Sequence, residues 1–427
     1  MSQQKIIKPV SQPVKAAVIV PGSKSITNRA LLLAALAEGK SQLSGVLVSD
    51  DTEAFAEGLK ALGIDVRLDL QHCTAEITGL AGKFPRSQAA LYCRDSGIAT
   101  RFLLAAAAAQ RGEYQFSASA RMSERPIAPL LEVLHQQGAD FQFMGKHGHM
   151  PLILEAQGLQ GGAVNVDIKD SSQFLSALMI AAPYARTALQ LHTGALSNKP
   201  YVSMTATMMQ AFGLTPAITG QTVQVPQGVY QAQNYAIEPD ASTASYFFAM
   251  AALTGGEIQV RKLSRQCMQG DIRFLNLLEQ MGCKVREESG GISVQGPKRL
   301  RGLGDIDMAG FTDTFMTLAA VAVFADRPTT IHSLAHTRLQ ESDRVAAIAE
   351  GLTRLGIRTE TGPDSITIHP GHPQGATVSS HRDHRIAMSL SLIGLKIPGV
   401  VIDGAEAVAK TCPQFFELQQ AACISPG

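Results

Sequence analysis

The chain has 427 residues, which at roughly 100–200 residues per domain predicts two to four domains and an ample core, and excludes a small disulfide scaffold. Lys and Arg number 37 against 36 Asp and Glu, a formal charge of +1, so the basic excess that would hold nucleic acid or an anionic membrane is missing and any anion must meet a local cluster of cations. Hydrophobic residues at 45% are ordinary, whereas charged residues at 17% and aromatics at 5%, with no Trp, are few, a balance that suits tightly packed helices and many turns.

The opening MSQQKIIKPVSQPVK carries no apolar core of a leader, and the longest apolar stretches, such as Leu31–Ala37 and Phe102–Ala109, fall short of the ~18 residues a membrane span needs. A cytoplasmic protein is expected. The six cysteines, Cys73, Cys93, Cys267, Cys283, Cys412 and Cys423, show no C-x-x-C pairing, which fits free thiols in a reducing compartment.

From residue 29 onward one phrase recurs six times: a small-residue helix, a β-rich stretch, a second helix closing on Leu/Met-x-x-Gly, and further strand. RALLLAALAEG, SQLSGVLVSD and DTEAFAEGLKALG form the first copy, and ATRFLLAAAAAQRG, EYQFSASA and PIAPLLEVLHQQG the second. The closing glycines, Gly63, Gly138, Gly213, Gly282 and Gly356, are 75, 75, 69 and 74 residues apart. Such a glycine supplies the left-handed cap that turns a helix into a strand. A period this long exceeds that of solenoid repeats, so two globular α/β domains of three units each are predicted, changing over near Val20–Pro21 and in the polar segment around residues 228–240.

Chemistry-bearing residues collect where these helices begin. PGSKSITNR, residues 21–29, precedes an Ala/Leu helix, so Lys24 and Arg29 add full charges where free N–H groups and the macrodipole already favour an anion. It is not a Walker A loop, because Gly22 has no second glycine before the lysine. Asp95–Arg101 and Asp170–Gln173 precede helices in the same way; each taken singly reads as an ordinary N-cap, and their repetition in equivalent units argues for one shared binding cleft. Asp50 and Asp51 read as caps of the next helix, and His147 and His149 lack the partners a metal site requires.

PGSKSITNRALLLAALAEG, SGIATR, RMSERPI, SSQFLSALMIAAP, NKPY, DASTASYF, MQGDIR, RLQESDR, DHRIAM and AKTCPQFF occur in this order along the whole chain, and together they resemble the 5-enolpyruvylshikimate-3-phosphate synthase family. The resemblance implies a two-domain inside-out α/β barrel, the enolpyruvyl transferase fold, with six βαβαββ repeats, three per domain, helices inside and sheets outside. It also implies that residues 1–20 join 240–427 as one domain, leaving 21–239 as the other. The implied reaction moves the enolpyruvyl group of phosphoenolpyruvate to the 5-hydroxyl of shikimate 3-phosphate through a tetrahedral intermediate, releases phosphate, and serves aromatic amino-acid synthesis. No metal or organic cofactor is implied, and the expected partners are these two small molecules acting on a monomer that closes over them, with no nucleic acid and no membrane.

Residue by residue, the resemblance assigns Lys24, Ser25, Arg29, Ser171, Ser172, Gln173, Asn198, Tyr201, Asp313, His336 and Gln340 to shikimate 3-phosphate. It assigns Lys24, Gly97, Arg125, Gln173, Arg344, Arg385 and Lys410 to phosphoenolpyruvate, where the planar guanidinium fork meets carboxylate or phosphate. Asp313 would be the base towards the 5-hydroxyl, with Lys24 and Glu341 carrying protons for the methylene carbon. Read alone, Asp313 is a helix cap and Glu341 part of a charged helix start.

Several positions depart from the family's usual residues. Ile98 stands for Thr and Phe102 for Pro, which is expected to narrow the pocket beside Gly97 and disfavour glyphosate, the family's phosphoenolpyruvate-site inhibitor. Asp95 stands for Asn, Asn198 for Ser with Ser197 as a stand-in hydroxyl, and His336 and Gln340 for Asn and Lys. These changes put affinity for shikimate 3-phosphate, not reaction type, in question. The competing readings are a non-catalytic sugar-phosphate binding protein and the sister transferase acting on UDP-N-acetylglucosamine, whose mobile-loop Cys is absent from SASARMSERPI.

Overall fold

The structure is a computed structural model that describes residues 3–194, 196 and 199–424. The chain divides into two compact units, one of residues up to Pro21 together with those from Glu238 onward, the other Gly22–Ile237.

Within Gly22–Ile237 the second repeat shows the pattern in full. Strand Gln88–Tyr92, helix Gly97–Ala108, strand Arg111–Ser117, helix Ala128–Gln136 and strands Asp140–Phe143 and Leu152–Gln157 follow in order. The first strand lies parallel to the second, with Tyr92 opposite Ser117. The second and third strands each pair antiparallel with the fourth. Gly162–Asn165, Leu189–His192, Thr222–Val225 and Ala217–Thr219 repeat the arrangement. In the first repeat the parallel position beside Glu38–Ser44 is filled by Asn234–Ala236, so the stretch expected to be only a connection returns to complete a sheet.

The other unit behaves alike. Lys15–Val18 lies parallel to Glu257–Arg261, which pairs with Gly291–Gln295, and Lys284–Glu288 pairs with that strand in turn. Gly304–Asp307, Thr329–His332, Ile366–Ile368 and Thr359–Thr361 form a second sheet of the same order. Thr377–Ser379, Val401–Asp403 and Gln4–Ile6 form a three-stranded one.

The first helix of each repeat is buried almost all round, as in Gly97–Ala108, where all twelve residues are buried, and in Ala241–Thr254 and His384–Gly394. Their Ala, Gly and Ser content lets helices approach closely, and the sheets then cover them with one face, as the alternating burial of Thr74–Leu80 shows. The closing glycines all take positive φ, between 80° and 101°, as the periodic pattern predicts. The fold is therefore mixed α/β with helices inside and sheets outside, but the sheets stay separate and no closed barrel forms among the described residues. No described helix is long and apolar enough to cross a membrane.

Candidate active site

In unit Gly22–Ile237, Lys24 is the first residue of helix Lys24–Leu36, with Ser23 extended before it. Its ammonium lies 3.5 Å from the Asp51 carboxylate, and both side chains are largely buried. The expectation that Asp51 caps its helix is corrected: Ser49 is the cap, accepting from the Thr52 N–H, and Asp51 in the first turn pairs with Lys24. Arg29 is only 1% exposed. It donates from Nε to Thr205 Oγ1 at 2.8 Å, from Nη1 to the Ser25 carbonyl at 3.0 Å and from Nη2 to Ser176 Oγ at 3.3 Å. Its guanidinium also lies 5.1 Å from the Phe102 ring centre and 5.8 Å from that of Tyr201, and burial lowers its pKa to about 10. Arg29 is thus an internal cation rather than a surface one.

Gly97 opens helix Gly97–Ala108, whose cap is Ser96. A Cβ at Gly97 would lie 2.9 Å from Arg125 Nη1 and 3.1 Å from Arg101 Nη1, so the missing side chain lets two guanidinium groups reach this helix start. Arg101 donates to Gln173 Oε1 at 2.6 Å and to the Pro126 carbonyl at 3.1 Å, tying Gln173 to the segment that carries Arg125. Ser171 Oγ accepts from the Gln173 N–H at 3.2 Å, while Ser172, at the cap position, makes no side-chain cap bond. Ile98 and Phe102 are buried in the helix. Asp95 accepts from the Ser119 hydroxyl. Tyr201 sits in the first turn of Pro200–Ala211, and Asn198 with Ser197 lies outside the described residues.

The other unit assembles a charged network around Arg344, which is 2% exposed. Its Nη1 lies 3.0 Å from Asp313 Oδ1, its Nη2 2.9 Å from Glu341 Oε2 and its Nε 2.8 Å from Asp383 Oδ2. Arg385 Nη2 reaches Asp313 Oδ2 at 3.0 Å, and Lys410 Nζ lies 3.6 Å from Glu341 Oε1. Burial alone would lower the pKa of Arg344, but Asp383, Glu341 and Asp313 hold it above its ordinary value. Three carboxylates thus share three cations in a neutral cluster. Asp313 is not the helix cap its position suggested: it lies in the short turn Thr312–Thr314, its carboxylate taken by two arginines. The cap of Arg344–Arg354 is Asp343, which accepts from the Ala346 N–H.

Two of the departures fall in this network. Gln340 accepts from Arg344 Nη1 through its amide oxygen, so its oxygen serves the cluster rather than lying open to a substrate. His336 Nε2 lies 3.1 Å from Thr312 Oγ1, beside Asp313.

Sequence reasoning read Asp51 as a helix cap and named Arg101 only within Asp95–Arg101, and it did not single out Asp383. Asp383 carried a visible signal, since it caps His384–Gly394 through the Arg385 N–H; its second oxygen, which takes Arg344 Nε and Ser342 Oγ, depends on a helix 39 residues away in sequence. His147 and His149 sit in a turn after Asp140–Phe143 rather than on a strand, with His149 Nδ1 at 2.8 Å from the Ser123 carbonyl.

Each unit, then, places cations, hydroxyls and carboxylates at helix starts, which defines an α/β protein equipped for small anionic ligands. The sequence pattern of the family described as EPSP synthase (3-phosphoshikimate 1-carboxyvinyltransferase) matches residues 9–418, and the chain belongs to that family. It is 44% identical over 414 residues to the 3-phosphoshikimate 1-carboxyvinyltransferase of Nostoc punctiforme, covering 96% of this chain and 97% of the relative. Identity is 42% over 416 residues to 3-phosphoshikimate 1-carboxyvinyltransferase 2 of Halalkalibacterium halodurans, covering 96% and 92%. The solved structure of EPSP synthase from Acinetobacter baumannii superposes with a TM-score of 0.83 at 27% identity, covering 99% of this chain and 98% of that one.

Proposed function

We infer that the chain is a 3-phosphoshikimate 1-carboxyvinyltransferase that joins the enolpyruvyl group of phosphoenolpyruvate to the 5-oxygen of shikimate 3-phosphate and releases phosphate. The observation that carries this reading is the family match across residues 9–418. The charge-balanced network around Arg344 supplies a physical reason for the activity. An arriving carboxylate or phosphate competes with Asp313 and Glu341 for Arg344, Arg385 and Lys410. Ligand binding therefore loosens the ion pairs that hold both carboxylates, and a carboxylate released from a cation is a stronger base.

Asp313 then takes the proton of the 5-hydroxyl as its oxygen attacks, and Lys24 and Glu341 carry the proton to the methylene carbon. Elimination of phosphate, together with loss of one proton from the new methyl group, converts the tetrahedral adduct into the enol ether. Arg344, Arg385, Lys410, Arg125 and Lys24 bind phosphoenolpyruvate, with Gly97 leaving room for the guanidinium groups. Ser25, Ser171, Ser172, Gln173, Asn198, Tyr201 and His336 serve shikimate 3-phosphate. Arg29 acts on it through buried charge and by holding the Ser25 carbonyl, and Gln340 offers its amide NH₂ to a ring hydroxyl while its oxygen holds Arg344. NMR of the product formed from the two substrates tests the reading: an enolpyruvyl ether at the 5-oxygen is expected, and an unchanged shikimate 3-phosphate would overturn it.

Tolerance to glyphosate belongs to the same reading. Ile98 is 5% exposed and branched at Cβ, one residue from Gly97 and the two arginines that crowd it. Ile98→Thr keeps the branch and shortens the side chain, so the inhibitory glyphosate concentration should fall by roughly tenfold while the KM for phosphoenolpyruvate changes less. An unchanged inhibitory concentration would dissociate tolerance from Ile98.

A further inference from the structure

Beneath Asp313 lies a second carboxyl that the reading above does not use. Asp271 sits in the turn Gly270–Arg273 and is 6% exposed. This turn packs on the turn that carries Asp313, and both lean on helix Ala241–Thr254. Ser242, in the first turn of that helix, donates its hydroxyl to Asp271 Oδ2. A few residues on, the hydroxyls of Ser245 and Thr317 lie 3.0 Å apart, joining this helix to the one that follows Asp313. Arg385 is bound to Asp313 Oδ2 at 3.0 Å, and its charge also acts on Asp271.

We propose that Asp271 is a positioning residue whose charge sets the base strength of Asp313, the two carboxyls repelling one another across the packed turns that carry them. The proposal rests on the assignment of Asp313 as base. The groups facing Asp271 are Asp313 in its turn, Arg385 in His384–Gly394, Asp240 at the cap of Ala241–Thr254 with Ser242 behind it, and Cys267 in the preceding loop. Burial first, and then the charge of Asp313, raise the Asp271 pKa to about 7, against the lowering pull of Arg385 and Ser242. Below neutrality Asp271 is protonated, and Arg385 and Arg344 together hold Asp313 as a weak base. Above it Asp271 is ionised, and its negative charge near Asp313 gives that carboxylate a greater affinity for the substrate proton.

The rate of the proton-transfer step therefore rises through an inflection near neutral pH. Asp271→Asn keeps the shape and the hydrogen bond but removes the charge. Its kcat should lose the inflection and lie roughly three- to tenfold below the wild type at pH 8, and about equal to it at pH 6. Ser242→Ala, which removes a donor from the ionised carboxylate, should move the inflection to higher pH without abolishing it. Because a carboxyl whose pKa is raised by folding contributes stability that is full below its unfolded pKa and is lost progressively as pH rises from there through about 7, Asp271→Asn should melt no lower than the wild type at pH 8. An inflection that persists unshifted in both variants, or a loss of kcat in Asp271→Asn that is equal at every pH, would overturn the proposal. Asp313→Asn, measured alongside, tests the base assignment separately: retention of full kcat there would sink that assignment whatever Asp271 does.

Discussion

Lys24 and Asp51 show how a side chain's role changes when its neighbours become known. Lys24 is the first residue of its helix, whose cap residue Ser23 makes no side-chain cap bond, and the 3.5 Å approach of Asp51 holds its ammonium in one place. Asp51→Asn keeps the volume and removes that tether, so kcat/KM should fall on the order of tenfold to a hundredfold through misplacement of Lys24, while the melting temperature changes little; steady-state kinetics at saturating cosubstrate checks it. Lys24 was visible in PGSKSITNR as a cation at the start of an apolar helix, and its assignment to substrate came from the family resemblance. Asp51 was not, because an acidic pair in a first helical turn satisfies the macrodipole and gives no hint of a partner 27 residues earlier. Asp313 and Glu341 are similar: local pattern reads them as helix-start acids, whereas Asp313 pairs with Arg344 and Arg385, 31 and 72 residues away in sequence, and Glu341 pairs with the distant Lys410 as well as with its neighbour Arg344.

Single elements repeat one solution to one packing problem. A buried helix of small residues must lie close under its covering sheet, and Gly79 marks one such approach: a Cβ there would lie 2.3 Å from the carbonyl oxygens of Ala34 and Ala37 at the end of helix Lys24–Leu36. Backbone atoms cannot step aside as a side chain can. Gly79→Ala should therefore cost about 1–3 kcal/mol, read as a lowered urea midpoint with an unchanged slope. The period of these elements was visible in the closing glycines, because only a residue tolerant of positive φ ends a helix so abruptly at each of five places. The pairing of strands was less visible. Asn234–Ala236 carries just three residues and no apolar run, and its place beside Glu38–Ser44 is set by a partner nearly two hundred residues earlier.

At the scale of the whole molecule, a formal charge of +1 conceals strong local ordering of charge. Basic residues and carboxylates pair where helices begin, so the near-balanced total conceals the charge that a small anion would meet at a particular helix start. The same economy runs through the topology, where short strands distant in sequence complete a sheet in three of the repeats: Gln4–Ile6, Lys15–Val18 and Asn234–Ala236. The six-fold repetition could be counted from the sequence, and the open, separate sheets could not, because barrel closure depends on strand number and stagger rather than on pattern. The measurement that bears most directly on the central claim is phosphate release by the purified chain given phosphoenolpyruvate with either shikimate 3-phosphate or UDP-N-acetylglucosamine. Release with shikimate 3-phosphate alone is predicted; release with neither acceptor, or only with the nucleotide sugar, would contradict it.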